Sequence, residues 1–211
     1  MTEEQRVTRL RSRASAYGIG LSQGEARRLT QYAALLERWN RRINLTSLPL
    51  AGLPNESMDR LLLEPAVAAA VVDGRVRDWI DVGSGSGSPA IPMKILRPAL
   101  RLTMVESRSR KAAFLREAVR QLEIHDAAVL EDRLERLVER PEPVADLVTS
   151  RGVRLDETAL HAIDRMLRPG GSLFVFGLGT TLHAVGAFTR VASHALPGNG
   201  GDLAVLQRKS L

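Results

Sequence analysis

The segment Asp81-Val82-Gly83-Ser84-Gly85-Ser86-Gly87 decides the fold. It follows the apolar run 79–82 and precedes 90–96, a stretch that is typical of a helix. A strand, a glycine-rich turn and a helix, in that order, build nucleotide-cofactor sites, because glycine permits positive φ and a close approach of the backbone to a ligand. The dinucleotide pattern G-x-G-x-x-G would need glycine at position 88, where Ser88 stands. Alternating glycines after an acidic residue indicate a different cofactor.

The composition predicts one domain of ordinary size in 211 residues. No apolar run reaches the ~18–20 residues of a membrane span, and the N-terminus lacks the apolar stretch of a secretory signal. The chain has no cysteine, which excludes disulfides, thiolate metal sites and a cysteine nucleophile. We therefore expect a cytoplasmic protein without membrane contact. The net charge of +6 favours anionic partners, although a solvated basic surface explains it equally well.

Helical spacing dominates residues 1–75, which we expect to form a helical N-terminal extension. Ser22 and Glu25 have the spacing of a capping box at the start of one helix. A second helix is predicted over 56–72, with Pro65 as a possible kink.

From residue 76 to 211 strands and helices alternate, which predicts an α/β domain with a mostly parallel sheet covered on both faces. Helices are predicted at 109–122 and 156–167, the second closed by a tight turn at 168–171. The tail predicts a closing strand pair, 188–193 and 203–207, around the glycine-rich turn at 197–201. The other predicted strands are 77–82, 101–105, 127–130, 145–149 and 172–176.

The glycine segment resembles the first motif of S-adenosylmethionine (SAM)-dependent methyltransferases, which is an acidic residue followed by x-G-x-G-x-G. Ligands of such sheets bind beyond the carboxyl ends of the strands. There Asp81 can brace the loop or hold the ligand's amino group, and Glu106, about 20 residues further on, can accept both ribose hydroxyls. The segment 132–135 follows the third strand and would border the adenine.

Arg151 follows the fourth strand, beside the position of the reacting sulfonium in this architecture. Its guanidinium suits a carboxylate or a phosphate, so it could position the cofactor or the acceptor, and a surface arginine is the alternative. The four histidines lack ligand spacing and predict no metal site. Ser84, Ser86 and Ser88 lack a histidine and an aspartate arranged for nucleophilic catalysis.

Several further segments are similar to the RsmG (GidB) family of bacterial methyltransferases, which act on guanine N7 of 16S ribosomal RNA. Residues 39–47 resemble the family signature W-N-x-x-x-N-L-T-S, and residues 81–92 its D-V-G-[ST]-G-x-G-x-P-x-I-P loop. Glu106-Ser107 with 110–116, Arg133-Leu134-Glu135 and Ser150-Arg151 match its remaining motifs. The similarity covers about residues 35–171.

The resemblance implies a class I SAM-dependent methyltransferase with a Rossmann-like, seven-stranded, mostly parallel sheet. It implies 16S rRNA or the small ribosomal subunit as the partner, and we expect a monomer. Arg42, Arg60 and Arg151 are the candidate substrate contacts, and no acid–base catalyst is identified. The cofactor residues, partly from the loop chemistry above and partly from the resemblance, are Asp81, Gly83, Ser84, Gly85, Gly87, Ser88, Glu106, Leu134, Glu135 and Arg151.

Residues on the acceptor side depart from the family pattern. Where the family has R-H-x-x-D-S, this chain has Arg60-Leu61-Leu62-Leu63-Glu64-Pro65, and Ser88 replaces a bulky residue. Two alternatives therefore stay open beside rRNA methylation. One is an enzyme of the same fold with a different acceptor, and the other is a non-catalytic binding protein of the SAM fold.

Overall fold

The computed structural model describes residues 1–139, 144–177 and 184–209. A single sheet runs through it in the strand order β3-β2-β1-β4-β5-β8-β7-β6. The strands are β1 (Asp78–Val82), β2 (Arg101–Val105), β3 (Ala127–Leu130), β4 (Ala145–Arg151), β5 (Leu167–Phe176), β6 (Ala184–Val185), β7 (Phe188–Ala195) and β8 (Asp202–Arg208).

Seven α-helices accompany these strands in the described part of the chain. They are α1 (Glu3–Ala16), α2 (Gln23–Asn40), α3 (Asn55–Met58), α4 (Glu64–Ala70), α5 (Ala90–Leu96), α6 (Ser109–Gln121) and α7 (Glu157–Met166). A π-helical turn, Asp59–Leu63, joins α3 to α4, and a 3₁₀ helix, Leu134–Glu139, follows β3.

The strands β1 to β5 pair in parallel, and β8, β7 and β6 extend the sheet in antiparallel fashion. The predicted mostly parallel sheet of seven strands is confirmed in β1–β5, β7 and β8, and the two-residue β6 adds a short edge strand. The predicted tight turn at 168–171 is instead part of β5, which begins at Leu167 and bulges opposite Ala145 and Leu147. The carboxyl ends of β1, β2, β4 and β5 consequently meet at one edge.

Capping boxes begin the helices α1 and α2. Thr2 and Gln5 form a capping box for α1, and Ser22 and Glu25 form the predicted one for α2. Their apolar sides share one hydrophobic core with α5, α6 and one face of the sheet. The division into an extension at 1–75 and a cofactor domain at 76–211 stays a prediction.

The single helix predicted over 56–72 is a chain of three segments, α3, the π turn and α4. Pro65 is the reason, because it has no N–H to donate to the preceding turn. Glu64 N–H accordingly reaches the carbonyl of Asp59, at the wider π spacing. Of the helices in the described ranges, none is long and apolar enough to cross a bilayer.

Candidate active site

The glycine loop leaves β1 in conformations that favour glycine. Gly83, Gly85 and Gly87 have φ of +68°, +52° and +84°. A Cβ at Gly83 would collide with the side chain of Val153, so the loop lies directly under the segment after β4. A Cβ at Gly87 would stand 2.6 Å from Cδ1 of Ile91, so this third glycine serves packing inside the protein.

Two side chains hold the loop from outside. Gly85 N–H donates to Oε2 of Glu106 at 2.9 Å, and the Tyr32 hydroxyl donates to the carbonyl of Ser86 at 2.8 Å. Tyr32 is fully buried on α2, and burial raises the pKa of its phenol. The N-terminal helices therefore support the loop directly.

Asp81 is the last acceptor in a buried relay of hydrogen bonds. Trp79 Nε1 donates to the hydroxyl of Thr149 at 2.9 Å, which donates to Oδ1 of Asp81 at 2.5 Å. The other oxygen, Oδ2, is buried and has no partner among the described residues. Burial raises the pKa of Asp81 to about 6. A buried acceptor of this kind is suited to a cationic ligand group.

A cavity of about 340 Å³ opens between the loops after β1, β2, β3 and β4. Glu106 stands at its rim with both oxygens on backbone N–H groups, those of Gly85 and Arg108. The cavity is lined by Gly83, Val105, Glu106, Ser107, Asp132, Arg133, Leu134, Glu135 and Val153. The structure thus brings Gly83, Glu106, Leu134 and Glu135 together as the sequence predicts.

A second cavity, of about 630 Å³, lies between α1, the π turn, the end of β5 and the turn 197–201. We call it the acceptor cleft. It is lined by Arg13, Leu48, Glu56, Asp59, Arg60, Glu64, Gly177 and the turn 197–201. The turn can approach closely because three of its residues are glycines; a Cβ at Gly198 would meet the Asp59 carboxylate, and one at Gly200 would collide with the Glu64 carboxylate.

Carboxylates fix both arginines of the acceptor cleft. Arg13 binds the two oxygens of Asp59 at 2.5 Å each through Nε and Nη2. Arg60 donates through Nη1 to Glu64 at 3.2 Å and 3.3 Å and is 37% exposed. The contact of Arg13 is bidentate and fixes its guanidinium plane, whereas Arg60 reaches both Glu64 oxygens through one nitrogen.

Arg151 borders the acceptor cleft. Its Nη2 donates to Glu64 of the acceptor cleft at 2.8 Å, and its guanidinium lies 4.2 Å from the centre of the Phe176 ring. The Nη1 group donates to the carbonyl of Arg60 at 2.6 Å and to the Ser88 hydroxyl at 3.0 Å. Its Nε, also buried, has no partner among the described residues. Burial lowers the pKa of Arg151 to about 10, so the group stays cationic at neutral pH.

Some predicted residues have side chains outside both cavities. The Ser84 hydroxyl donates to the carbonyl of Asp81, and that of Ser88 to the carbonyl of Leu61. Arg42 is exposed after α2 and lines neither cavity. The amide of Asn40 bonds Leu45 and Thr46 in the loop that follows α2.

Sequence reasoning missed Tyr32 and Arg13. Each reaches its partner across more than 40 residues of chain, and no local motif marks either side chain. Within the described ranges, no group of three or more His, Asp or Glu residues could hold a metal ion.

Most of the chain is similar to one family of known proteins. The family model "rRNA small subunit methyltransferase G" (GidB) matches residues 25–182. The chain belongs to the rRNA small subunit methyltransferase G family. The matched stretch contains the first cavity, and it excludes Arg13 and the turn 197–201 of the acceptor cleft.

Individual relatives agree with the family model. The Ribosomal RNA small subunit methyltransferase G of Xanthomonas oryzae pv. oryzae (strain KACC10331 / KXO85) is 40% identical over 148 residues, which cover 69% of this chain and 65% of that protein. The chain thus matches just under two thirds of that relative's length. The protein of that name from Stenotrophomonas maltophilia (strain K279a) is 40% identical over 157 residues, or 74% of this chain and 70% of that protein.

Solved structures support the fold class. A putative methyltransferase, yhhF, from Escherichia coli superposes with a TM-score of 0.53 at 13% identity, covering 69% of this chain and 81% of that one. StiE O-MT, residues 961–1257, superposes with a TM-score of 0.55 at 16% identity, covering 75% and 79%. The predicted class I, Rossmann-like methyltransferase fold is confirmed.

Proposed function

We propose that this protein is a SAM-dependent methyltransferase that methylates N7 of a guanine in 16S rRNA. Membership of the rRNA small subunit methyltransferase G family supports the substrate class. The observation that carries the proposal is the pair of buried polar atoms without a partner among the described residues, Oδ2 of Asp81 and Nε of Arg151, beside the ends of β1 and β4. Two cavities accompany them, one lined by the loops after β1 to β4 and one bordered by Glu64, to which Arg151 donates. A donor and an acceptor need two pockets of this kind.

The residues present fit SAM. The unpartnered Oδ2 of Asp81 can accept from an ammonium group, and the unpartnered Nε of Arg151 can donate to a carboxylate, the two charged groups of the methionine part. Glu106 at the rim can accept from ribose hydroxyls, and Leu134 and Glu135 would border the adenine. When bound, SAM supplies an electrophilic methyl group on its sulfonium.

Methyl transfer to guanine N7 requires the chain only to position the two reactants. Guanine N7 carries no proton in the neutral base, so no residue has to act as a general base. The remaining tasks are to align the acceptor nitrogen and to exclude water, which oriented side chains perform at no cost during the reaction. Arg60 and Arg13 in the acceptor cleft are the groups that we assign to the acceptor nucleotide, and Arg42 to the RNA backbone outside it.

The proposal extends to the partner, the cellular location and the oligomeric state. We propose that 16S rRNA or the small ribosomal subunit is the partner, that the protein acts as a cytoplasmic monomer, and that residues 1–75 form its acceptor side. The formal charge of +6 supports an anionic partner. Arg13 on α1 supports the role of the N-terminal helices, because it lines the acceptor cleft.

Two measurements on the wild-type protein test the proposal. Calorimetry should detect binding of SAM and of S-adenosylhomocysteine. Tritiated SAM should then label small ribosomal subunits that lack the methyl group, and nuclease digestion with mass spectrometry should find 7-methylguanosine. Labelling of free guanine nucleotides alone would refute the rRNA substrate. The absence of SAM binding at millimolar concentration would refute the enzyme and favour a non-catalytic protein of this fold.

A further inference from the structure

Pro65 lacks the backbone N–H that would bond one of two carbonyl groups in the preceding turn of its helix. In a helix of α spacing the N–H of residue 65 would bond the carbonyl of Leu61, and at π spacing that of Arg60. Proline has no N–H, so neither bond forms. A buried carbonyl without a partner is costly, and another donor is therefore expected.

Side chains from the far side of the glycine loop and from β4 supply these donors. The Ser88 hydroxyl donates to the carbonyl of Leu61 at 3.0 Å, and Arg151 Nη1 donates to that of Arg60 at 2.6 Å. Arg151 also donates to the Ser88 oxygen at 3.0 Å, so the two donors are linked. Ser88 is only 7% exposed, and the contact is closed to water.

The same helix turn forms a wall of the acceptor cleft. Asp59, Arg60 and Glu64 line the cleft, and Arg151 holds Glu64 as well as the Arg60 carbonyl. Any displacement of the turn would therefore move Arg60 relative to the glycine loop. The other serines of the loop make no such link in the described hydrogen bonds. Ser84 donates to the Asp81 carbonyl, and the Ser86 carbonyl accepts from Tyr32.

We propose that Ser88 is a positioning residue that aligns the acceptor cleft with the cavity of about 340 Å³ beside Glu106, which we assign to the cofactor, rather than a side-chain ligand of the cofactor. It acts through the Leu61 carbonyl that Pro65 leaves without a partner. The Ser88 hydroxyl is already engaged inside the protein, because it donates to the Leu61 carbonyl and accepts from Arg151. The inference rests on the proposed function, because it assigns the two cavities to acceptor and donor.

A double-mutant cycle tests the proposal through the missing N–H. In Ser88→Ala, the Leu61 carbonyl loses its donor, and methyl transfer to undermethylated small subunits should fall about tenfold in kcat/KM, the effect of one buried hydrogen bond. The affinity for S-adenosylhomocysteine should stay within about twofold of that of the wild type, on the same scale. Pro65→Ala removes the cause of the π turn and supplies an N–H that bonds the Leu61 carbonyl once the turn takes α spacing. Ser88→Ala made in that background should therefore reduce kcat/KM by less than about threefold.

Two controls keep the outcome clear. Ser12→Ala makes the same chemical change at an exposed position of α1 and should leave both readouts at wild-type values. Urea unfolding of all four proteins of the cycle should show the same coupling between positions 65 and 88 in the free energy of unfolding.

Three results would overturn the positioning role. Ser88→Ala could leave methyl transfer unchanged, or it could weaken S-adenosylhomocysteine binding as strongly as transfer. It could also reduce kcat/KM by the same factor in the wild-type and the Pro65→Ala backgrounds. These results require a wild-type protein that binds the cofactor and methylates the particle. A wild-type protein that does neither overturns the proposed function itself.

Discussion

The buried carboxylate of Asp81 should make the protein less stable at neutral pH than an uncharged side chain would. Burial raises its pKa from 3.8 to about 6, so the folded protein keeps a proton that the unfolded chain releases between these values. Stability therefore falls as pH rises from 3.8 to about 6 and stays reduced above. A rise of about two in pKa corresponds to about 3 kcal/mol.

Asp81→Asn removes this cost, because asparagine resembles the protonated acid. We expect the variant to gain about 3 kcal/mol in free energy of unfolding at pH 7.5 and only about half as much at pH 5, where the folded wild type is mostly protonated. Urea unfolding followed by circular dichroism at the two pH values measures both gains. A variant less stable than wild type at pH 7.5, or a gain that is equal at both pH values, would refute the reasoning.

The same variant should lose the cofactor. The Thr149 hydroxyl receives a hydrogen bond from Trp79 and must donate its own proton, so the asparagine oxygen has to face Thr149. Its NH₂ group then occupies the place of Oδ2 and opposes the ammonium of the ligand. A charge-assisted hydrogen bond contributes ~1.5–3 kcal/mol, so the affinity for S-adenosylhomocysteine should fall by roughly ten- to a hundredfold. Wild-type affinity in calorimetry would contradict the assigned role of Oδ2.

A matched control lies on the same strand. Hydrogen bonds from Arg101 lower the pKa of Asp78, together with those from Arg168. Its ionised form therefore stabilises the fold above the unfolded pKa, and that contribution is lost as pH falls. Asp78→Asn should accordingly lower stability at pH 7.5, opposite in sign to Asp81→Asn, while leaving cofactor affinity near the wild-type value.

Two further substitutions test the support of the glycine loop. Tyr32→Phe removes the hydrogen bond to the Ser86 carbonyl and should cost ~1–3 kcal/mol of stability; we expect weaker S-adenosylhomocysteine binding in calorimetry, and an unchanged dissociation constant would contradict the bracing role. Gly83→Ala places a methyl group against Val153 and should abolish binding. Gly18→Ala controls for backbone strain alone, because its φ of +72° is similar and nothing lies within 4 Å of the new methyl group; equal effects of both alanines would refute the steric argument.

Features that depend on residues close together in the sequence were predicted correctly. The strand, the alternating glycines and Glu106 lie within about 25 residues of one another, and the parallel topology brings the ends of β1 and β2 together. The capping box of Ser22 and Glu25 is equally local. These features depend on backbone preferences that neighbouring residues determine.

The rest depends on contacts between distant parts of the chain. Arg151 was expected to bind a ligand, yet its charge is largely engaged by Glu64 and the Arg60 carbonyl, which only the packing of the N-terminal helices brings near. The π turn was missed because Pro65 predicts a kink without specifying which carbonyls lose their donors. Arg13 belongs to the acceptor cleft although nothing in the sequence of α1 distinguishes it from the other arginines of that helix.

The relay from Trp79 through Thr149 to Asp81 gives the protein an optical reporter of its own. Trp79 is almost fully buried, and its indole N–H lies two hydrogen bonds away from the carboxylate. The other tryptophan, Trp39, is half-buried beside Phe114. In a Trp39→Phe background the emission of the remaining indole would follow the protonation and occupancy of the pocket, so that ligand arrival can be timed in a stopped-flow instrument without a label.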